Sequence, residues 1–340
     1  MGVMAAGLAL GQAACMQRLA ANSTARIMNR ASPALQTFSD PALAEAALPY
    51  SITQMEGLLL VIPDNAGLRV NLMRALGSFG FGFLEDRMED AEVRDDEARI
   101  EHYRNRATMA YLRGRALGFE QLTREEGEEG GADGAYRRGV EAWKTYLRRF
   151  DDREHAGMVF WLGYNWARHI NLNKEDPDVL ADLPFAVACF ERVMELDPTF
   201  NYHSPLVAMA SYHARAAESL GGNPAESLRL FDEAIRLTEG RFLTYRVMKA
   251  RAYAVMIQDR ALYTRLLQEV IDAGDVWPEQ RLANQLAKRR ARRYLAQIDN
   301  YFSPAEDGDA PASGDAPATG DAPASGDTPA PAAGAAPAGE

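Results

Sequence analysis

Cysteine is almost missing. Cys15 and Cys189 are the only two in 340 residues, too few to staple a chain of this length. No apolar run reaches the ~18–20 residues of a membrane-spanning helix. A basic excess is lacking too: 37 Lys and Arg stand against 48 Asp and Glu, a net charge of −11, whereas a nucleic-acid-binding surface needs surplus positive charge. Runs of alternating β-branched and aromatic residues are absent, and no Asn-Gly or Asp-Gly signal joins two strand-like runs. These gaps argue against a disulfide miniprotein, a multi-pass membrane protein, a DNA-binding protein and a β-rich fold.

The acidic surplus is concentrated at one end. Residues 303–340 hold seven acids and no Lys or Arg, so the first 302 residues carry 41 acids and 37 bases. From Gly308 a Gly-Asp-Ala-Pro-Ala-Ser hexapeptide recurs with small changes at Gly314, Gly320 and Gly326. Such a composition buries too little apolar surface to offset its ordering entropy, so 303–340 reads as a disordered acidic tail. At the other end, Val3 to Leu10 is a short apolar stretch followed by Ala13, Ala14 and Cys15. Residues 1–15 thus have the outline of a lipoprotein signal with Cys15 as the acylated residue, although Gln12 and the lack of a preceding basic residue depart from it. The alternative is an apolar N-terminal helix. Residues 16–39 read as a linker or helix.

Residues 40–302 carry helical periodicity almost throughout, which makes this body all-α. Asp40-Pro41, Asp176-Pro177 and Asn223-Pro224 each place a capping side chain before a proline at the first helical position. After Asn223, Leu228, Phe231, Ala234 and Ile235 recur at three and four residues, and Gly240 offers a left-handed stop. The spacing predicts helices near 41–62, 66–90, 96–123, 135–149, 155–172, 178–196, 203–220, 224–239, 242–257, 259–273 and 278–301. Between them, the acidic, glycine-rich stretch 124–134 reads as a solvated connection.

Compared with one another, these helices repeat. Ala186, Phe190, Val193 and Pro198 follow the small–aromatic–small–proline offsets of the second helix of a tetratricopeptide (TPR) hairpin. Ser51, Met55, Leu58 and Pro63 follow them with Met for the aromatic, and Ser227, Phe231 and Ala234 match the first three. Val159, Leu162, Gly163 and Trp166 echo the first helix. Each hairpin has an apolar face that only a neighbour can cover, so small residues admit the next hairpin and the aromatic fills the gap. The expected fold is a TPR-like array of α-hairpins.

Chemistry-bearing constellations are scarce. The five histidines form no metal-ligand spacing, Cys189 reads as a buried small hydrophobe, and Gly77, Gly80 and Gly82 are not a dinucleotide fingerprint. No catalytic residue, metal or cofactor is expected. Phe79, Phe81 and Phe83 alternate among glycines, which spreads their rings around more than one helix face and suits either packing or a ligand cleft. Phe160, Trp161, Tyr164 and Trp166 pose the same choice. Asn171 and Lys174, just beyond, could meet an acidic ligand or partner, or simply end a helix in solvent. Lys288, Arg289, Arg290, Arg292 and Arg293 spread too far round a helix for one stripe and read as a solvated basic face, the alternative being a salt-sensitive contact with an acidic partner or with the acidic tail itself.

The run Ser39 to Leu59, continued by Pro63-Asp64-Asn65 and Leu68, resembles the opening of the TRAP transporter TatT component family. Phe79 to Glu85, Trp161 to Asp176, Ala181 to Pro184, Glu195 to Pro198, Arg281 to Asn284 and Arg289 to Ala291 follow in the family's order. Members are TPR-like periplasmic lipoproteins of tripartite ATP-independent transporters. The resemblance implies a non-enzymatic adaptor that assembles as a homotrimer and docks the periplasmic substrate-binding protein. It also implies a cleft or pore that passes a small hydrophobic or organic-acid ligand. The competing expectation is a generic TPR-like scaffold or assembly lipoprotein of the cell envelope that binds peptide segments.

Overall fold

The computed structural model describes residues 2–126, 130–217 and 221–303, with side chains from Met16 onward and Glu126 excepted. The acidic repeat tail and the Cys15 side chain lie outside the described residues. Fifteen α-helices are present among them: α1 (Gly2–Ala31), α2 (Pro41–Val61), α3 (Ala66–Phe79), α4 (Glu85–Glu92), α5 (Glu97–Glu126), α6 (Gly131–Arg137), α7 (Val140–Leu147), α8 (Ala156–Leu172), α9 (Pro177–Leu180), α10 (Leu183–Leu196), α11 (Phe200–Arg215), α12 (Pro224–Leu237), α13 (Thr244–Lys249), α14 (Arg260–Asp272) and α15 (Arg281–Ala296). No strand occurs among the described residues. The body is all-α, as the periodicity predicts.

Local signals account for most boundaries. Asp40 accepts from the Ala42 amide at 2.8 Å, Asp176 from Asp178 at 2.9 Å and Asn223 from Glu226 at 3.1 Å, each satisfying a donor that the first turn leaves free. Gly240 adopts φ 67°, and its N–H closes on the Ile235 carbonyl at 2.7 Å, ending that segment as expected. The helix expected at 135–149 is instead two short ones, α6 and α7, broken at Gly139, whose φ of 97° is closed to other residues. The predicted start near 203 is also marked by the backbone. Asn201, Tyr202 and His203 are left-handed, so regular helix in α11 begins after them.

Two segments depart from α geometry in a way that composition does not announce. Gly80–Leu84, between α3 and α4, is a π turn, and so is Ala250–Ala254 after α13. A π turn widens the helix by one residue and swings side chains off the α pattern. This accommodates the alternating phenylalanines: Phe83 is buried, while Phe79 and Phe81 are half-buried. Gly80 is needed there because a Cβ would stand 2.6 Å from the Tyr111 ring.

A continuous apolar core runs from Ala25 to Leu282 and includes Trp143, Trp166, Phe190 and Phe231. A second cluster, from Leu243 to Phe302, joins α13, α14 and α15. The small residues expected at helix contacts do admit neighbours: α8 and α10 meet where a Cβ on Gly163 would lie 2.7 Å from the Cys189 Cβ. Polar ties then recur at a regular interval. Trp143 Nε1 donates to the Phe185 carbonyl and Arg192 to that of Phe150, each across 42 residues. Arg153 reaches Asp197 across 44, and Tyr245 and Asn284 reach the carbonyls of Tyr202 and Arg241 across 43. These five ties span 42 to 44 residues of sequence.

Candidate functional site

The half-buried Phe81 ring, presented by the first π turn, is approached by two guanidiniums. Arg290 stands 4.0 Å and Arg168 4.7 Å from its centroid, within cation–π range. Arg290 also donates to the Phe81 carbonyl at 2.6 Å. Beyond this ring, α4 faces α15 through charge. Arg293 bridges Glu89 at 2.6 Å and Asp86 at 2.9 Å, and Arg289 meets Asp86 at 2.6 Å. Tyr294 donates to Glu89 at 2.8 Å.

Arg168 on α8 forms a two-pronged bond with Glu85, which also accepts from the Tyr111 hydroxyl. Burial, then the charges of Arg290 and Arg215, push the Arg168 pKa down to about 9, so it stays a cation at neutral pH. Burial also pulls on Arg290, but Glu89, Tyr294 and Asp86 outweigh it and raise its pKa. Breaking a buried pair of this kind costs about 3–5 kcal/mol, because a charge is left behind without its partner.

Of the residues singled out in the sequence, three converge here. These are Tyr164 and Asn171, which share one face of α8 with Arg168 by their spacing of four and three, and Phe81, whose ring lies 4.7 Å from the Arg168 guanidinium. Tyr164 is half-buried, and its phenol pKa is raised by burial. Asn171 accepts from Arg215 at 2.9 Å. Phe160, Trp161 and Trp166 are buried core instead: Trp166 donates to Asp182 at 2.9 Å, and Phe160 packs 5.8 Å from Phe190. Phe79 and Phe83 pack on each other at 6.2 Å. Lys174 is exposed at the helix end.

The basic run on α15 corrects its sequence reading. Arg290 is buried and the Arg293 side chain is 10% exposed, because Asp86 and Glu89 on α4 supply counter-charge that makes burial affordable. Arg292 alone of that run stays exposed. Sequence reasoning missed Arg168, Arg215 and Arg251 entirely; their spacing carries no motif.

Cys189 is fully buried, and burial pushes its thiol up to about 12, the behaviour of an inert hydrophobe. Among the described residues no cluster of three or more His, Cys, Asp or Glu is placed to hold a metal, and no helix is long and apolar enough to cross a membrane. Two surface recesses lie elsewhere. One of about 880 Å³ runs along α14 past Arg260, Thr264 and Gln268. The other, of about 440 Å³, gathers Thr199, Tyr202, His203, Arg241 and Trp277 from three loops.

The fold and these contacts define an all-α protein whose charged groups are organised by ion pairs between distant helices. The chain matches the family described as TRAP transporter T-component over residues 37–302, and it belongs to that family. It is also 23% identical over 265 residues to an uncharacterised protein of Treponema pallidum (strain Nichols), covering 77% of this chain and 80% of the other.

Proposed function

We propose that this T-component works by binding rather than catalysis, as a periplasmic adaptor that docks the substrate-binding protein of its TRAP transporter. The family match over residues 37–302 carries this reading. In it, residues 40–302 form a TPR-like hairpin array, an arrangement supported by polar ties that recur across 41 to 46 residues. The path for a small hydrophobic or organic-acid ligand runs, in this reading, past Phe81, Tyr164, Arg168 and Asn171. Exposed Leu43, Tyr50 and Leu60 on α2 with Met109 on α5 supply apolar surface for a homotrimer. Residues 1–15 act as the export signal, Cys15 carries the lipid anchor, 16–39 lead into the body, and 303–340 extend as a disordered acidic tether.

Co-purification with the substrate-binding protein encoded beside it tests the reading; a complex at micromolar concentration is expected, and no association overturns it. Replacing Cys15 by Ser should release the protein from membranes, and unchanged fractionation removes the anchor. The alternative, an envelope scaffold that binds peptide segments, draws on the recess lined by Tyr202 and Trp277. Peptide capture without transporter genes nearby would favour it.

A further inference from the structure

Beyond Cys15, α1 is a helix whose inner side is fastened and whose outer side is open. Asn65, which caps α3, and Asn71 within α3 donate to Asn22 at 2.8 Å and to Asn29 at 3.0 Å. Ala25, between those two positions, is fully buried. These contacts fix how α1 is turned about its axis. At about 100° per residue, Met16, Leu19, Ser23, Ile27 and Arg30 fall within about 80° of arc on the opposite side, with Arg26 beside them. Met16 is 73%, Leu19 65% and Ile27 67% exposed, and Arg26 and Arg30 are exposed too.

Charge on this segment has a single sign. Residues 1–39 contain three arginines, Arg18, Arg26 and Arg30, and no Asp, Glu or Lys. None of the three forms an ion pair among the described residues, and Arg26 donates only to Ser23 at 3.1 Å. On the nearby helices such charges are answered: Arg87 meets Glu45, Arg113 meets Glu56 and Arg124 meets Asp64. Three apolar side chains on one helix offer too little area for a stable protein interface, which buries about 1,200–2,000 Å². A bilayer asks for no matching shape. Its acyl boundary accepts Met, Leu and Ile, while guanidinium forks reach lipid phosphates and their aliphatic stems lie along apolar surface.

We infer that the outer strip of α1, from Met16 to Arg30, lies on an anionic phospholipid surface. This lipid contact goes beyond the adaptor role and does not depend on an acyl chain at Cys15. With three arginines and three apolar side chains it is weak and reversible, so Cys15→Ser still frees the protein from washed membranes. What the strip adds is orientation: α3, bonded to the other side of α1, is held away from the bilayer.

Co-sedimentation of the full-length Cys15→Ser chain, which cannot be acylated, with lipid vesicles tests it. Phosphatidylcholine vesicles carrying about one-third phosphatidylglycerol should bind it at least about tenfold more tightly than phosphatidylcholine alone, and about 0.5 M salt should remove most of that difference. Arg26→Gln and Arg30→Gln should each weaken binding to the anionic vesicles about fivefold. Ile27→Ser should weaken it about tenfold, and Arg292→Gln, exposed on α15, should change nothing. All these side chains are exposed, so the variants should fold, and matching thermal melts verify this. Equal binding to neutral and anionic vesicles, full binding by the Arg26→Gln, Arg30→Gln double variant, or no binding at about 1 mM lipid overturns the inference. A smaller oligomer in Ile27→Ser, without vesicle binding by the parent chain, also overturns it and gives the strip to a second copy. Each of these results leaves docking of the substrate-binding protein untouched, whereas lost docking refutes the adaptor reading alone.

Discussion

On one side of α8, Val159, Leu162, Gly163 and Trp166 are fully packed in apolar core, so closely that a single added carbon at Gly163 collides with α10. On the other side, Arg168 pairs with Glu85 of α4 and lies over the Phe81 ring, and Asn171 accepts from Arg215 of α11. The same 17-residue helix therefore borders two media. The first gains its stability from excluded water and close contact, and any volume change is felt there. The second keeps charges partly desolvated, where the energy of each pair depends on its partner being present.

The sharpest way to break this contrast is Trp166→Ala. Loss of the buried ring and of its bond to Asp182 should cost about 3–5 kcal/mol in chemical denaturation. A loss below ~1 kcal/mol would mean that this face is not close-packed. Next comes Glu85→Ala, which leaves Arg168 without its carboxylate and should cost about 3 kcal/mol, whereas the pair replacement Glu85→Leu with Arg168→Met should recover most of it. If the double variant is as unstable as the single one, the pair is not what holds this face.

Gly163→Ala is expected to cost about 1–3 kcal/mol by overpacking against the Cys189 Cβ and the Ala186 carbonyl. An unchanged midpoint would show that α8 and α10 can slide apart. The smallest effect concerns pH. Burial opposes the charge of Asp197, but bonds from Thr199 and Arg153 outweigh it and hold the carboxyl below its usual range. Its contribution is therefore present above the unfolded carboxylate value of ~3.9 and is lost as pH falls through the lower folded value. Asp197→Asn should lower stability modestly across the neutral range and flatten the acid limb, so that the two proteins converge as pH falls through the folded value of the native carboxyl. Unchanged stability at neutral pH, or a difference that persists at low pH, would contradict this assignment.

The apolar side of α8 was legible because core formation follows periodicity: Ala186, Phe190 and Val193 opposite it could be placed by spacing alone and are all buried. Capping by Asp40, Asp176 and Asn223 was equally legible, since each is a contact with the next few residues. The charged side was not. Its arginines lie on four helical segments between residues 168 and 293, and ion pairs across 200 residues leave no local trace. The basic run on α15 looked solvated because its partners, Asp86 and Glu89, sit on α4. Phe81 stood out among glycines, but the π turn that aims it depends on Tyr111 closing against Gly80.

Each π turn is also a matter of phase. A residue advances an α-helix by about 100°, so one extra residue in the turn resets the direction of everything carried by that segment. Deleting a single residue from Gly80–Leu84 would rotate Phe81 away from its two guanidiniums without altering any side chain on either arginine. The placement of Phe81 against Arg168 and Arg290 is thus encoded partly in chain length, a quantity that point substitution cannot probe.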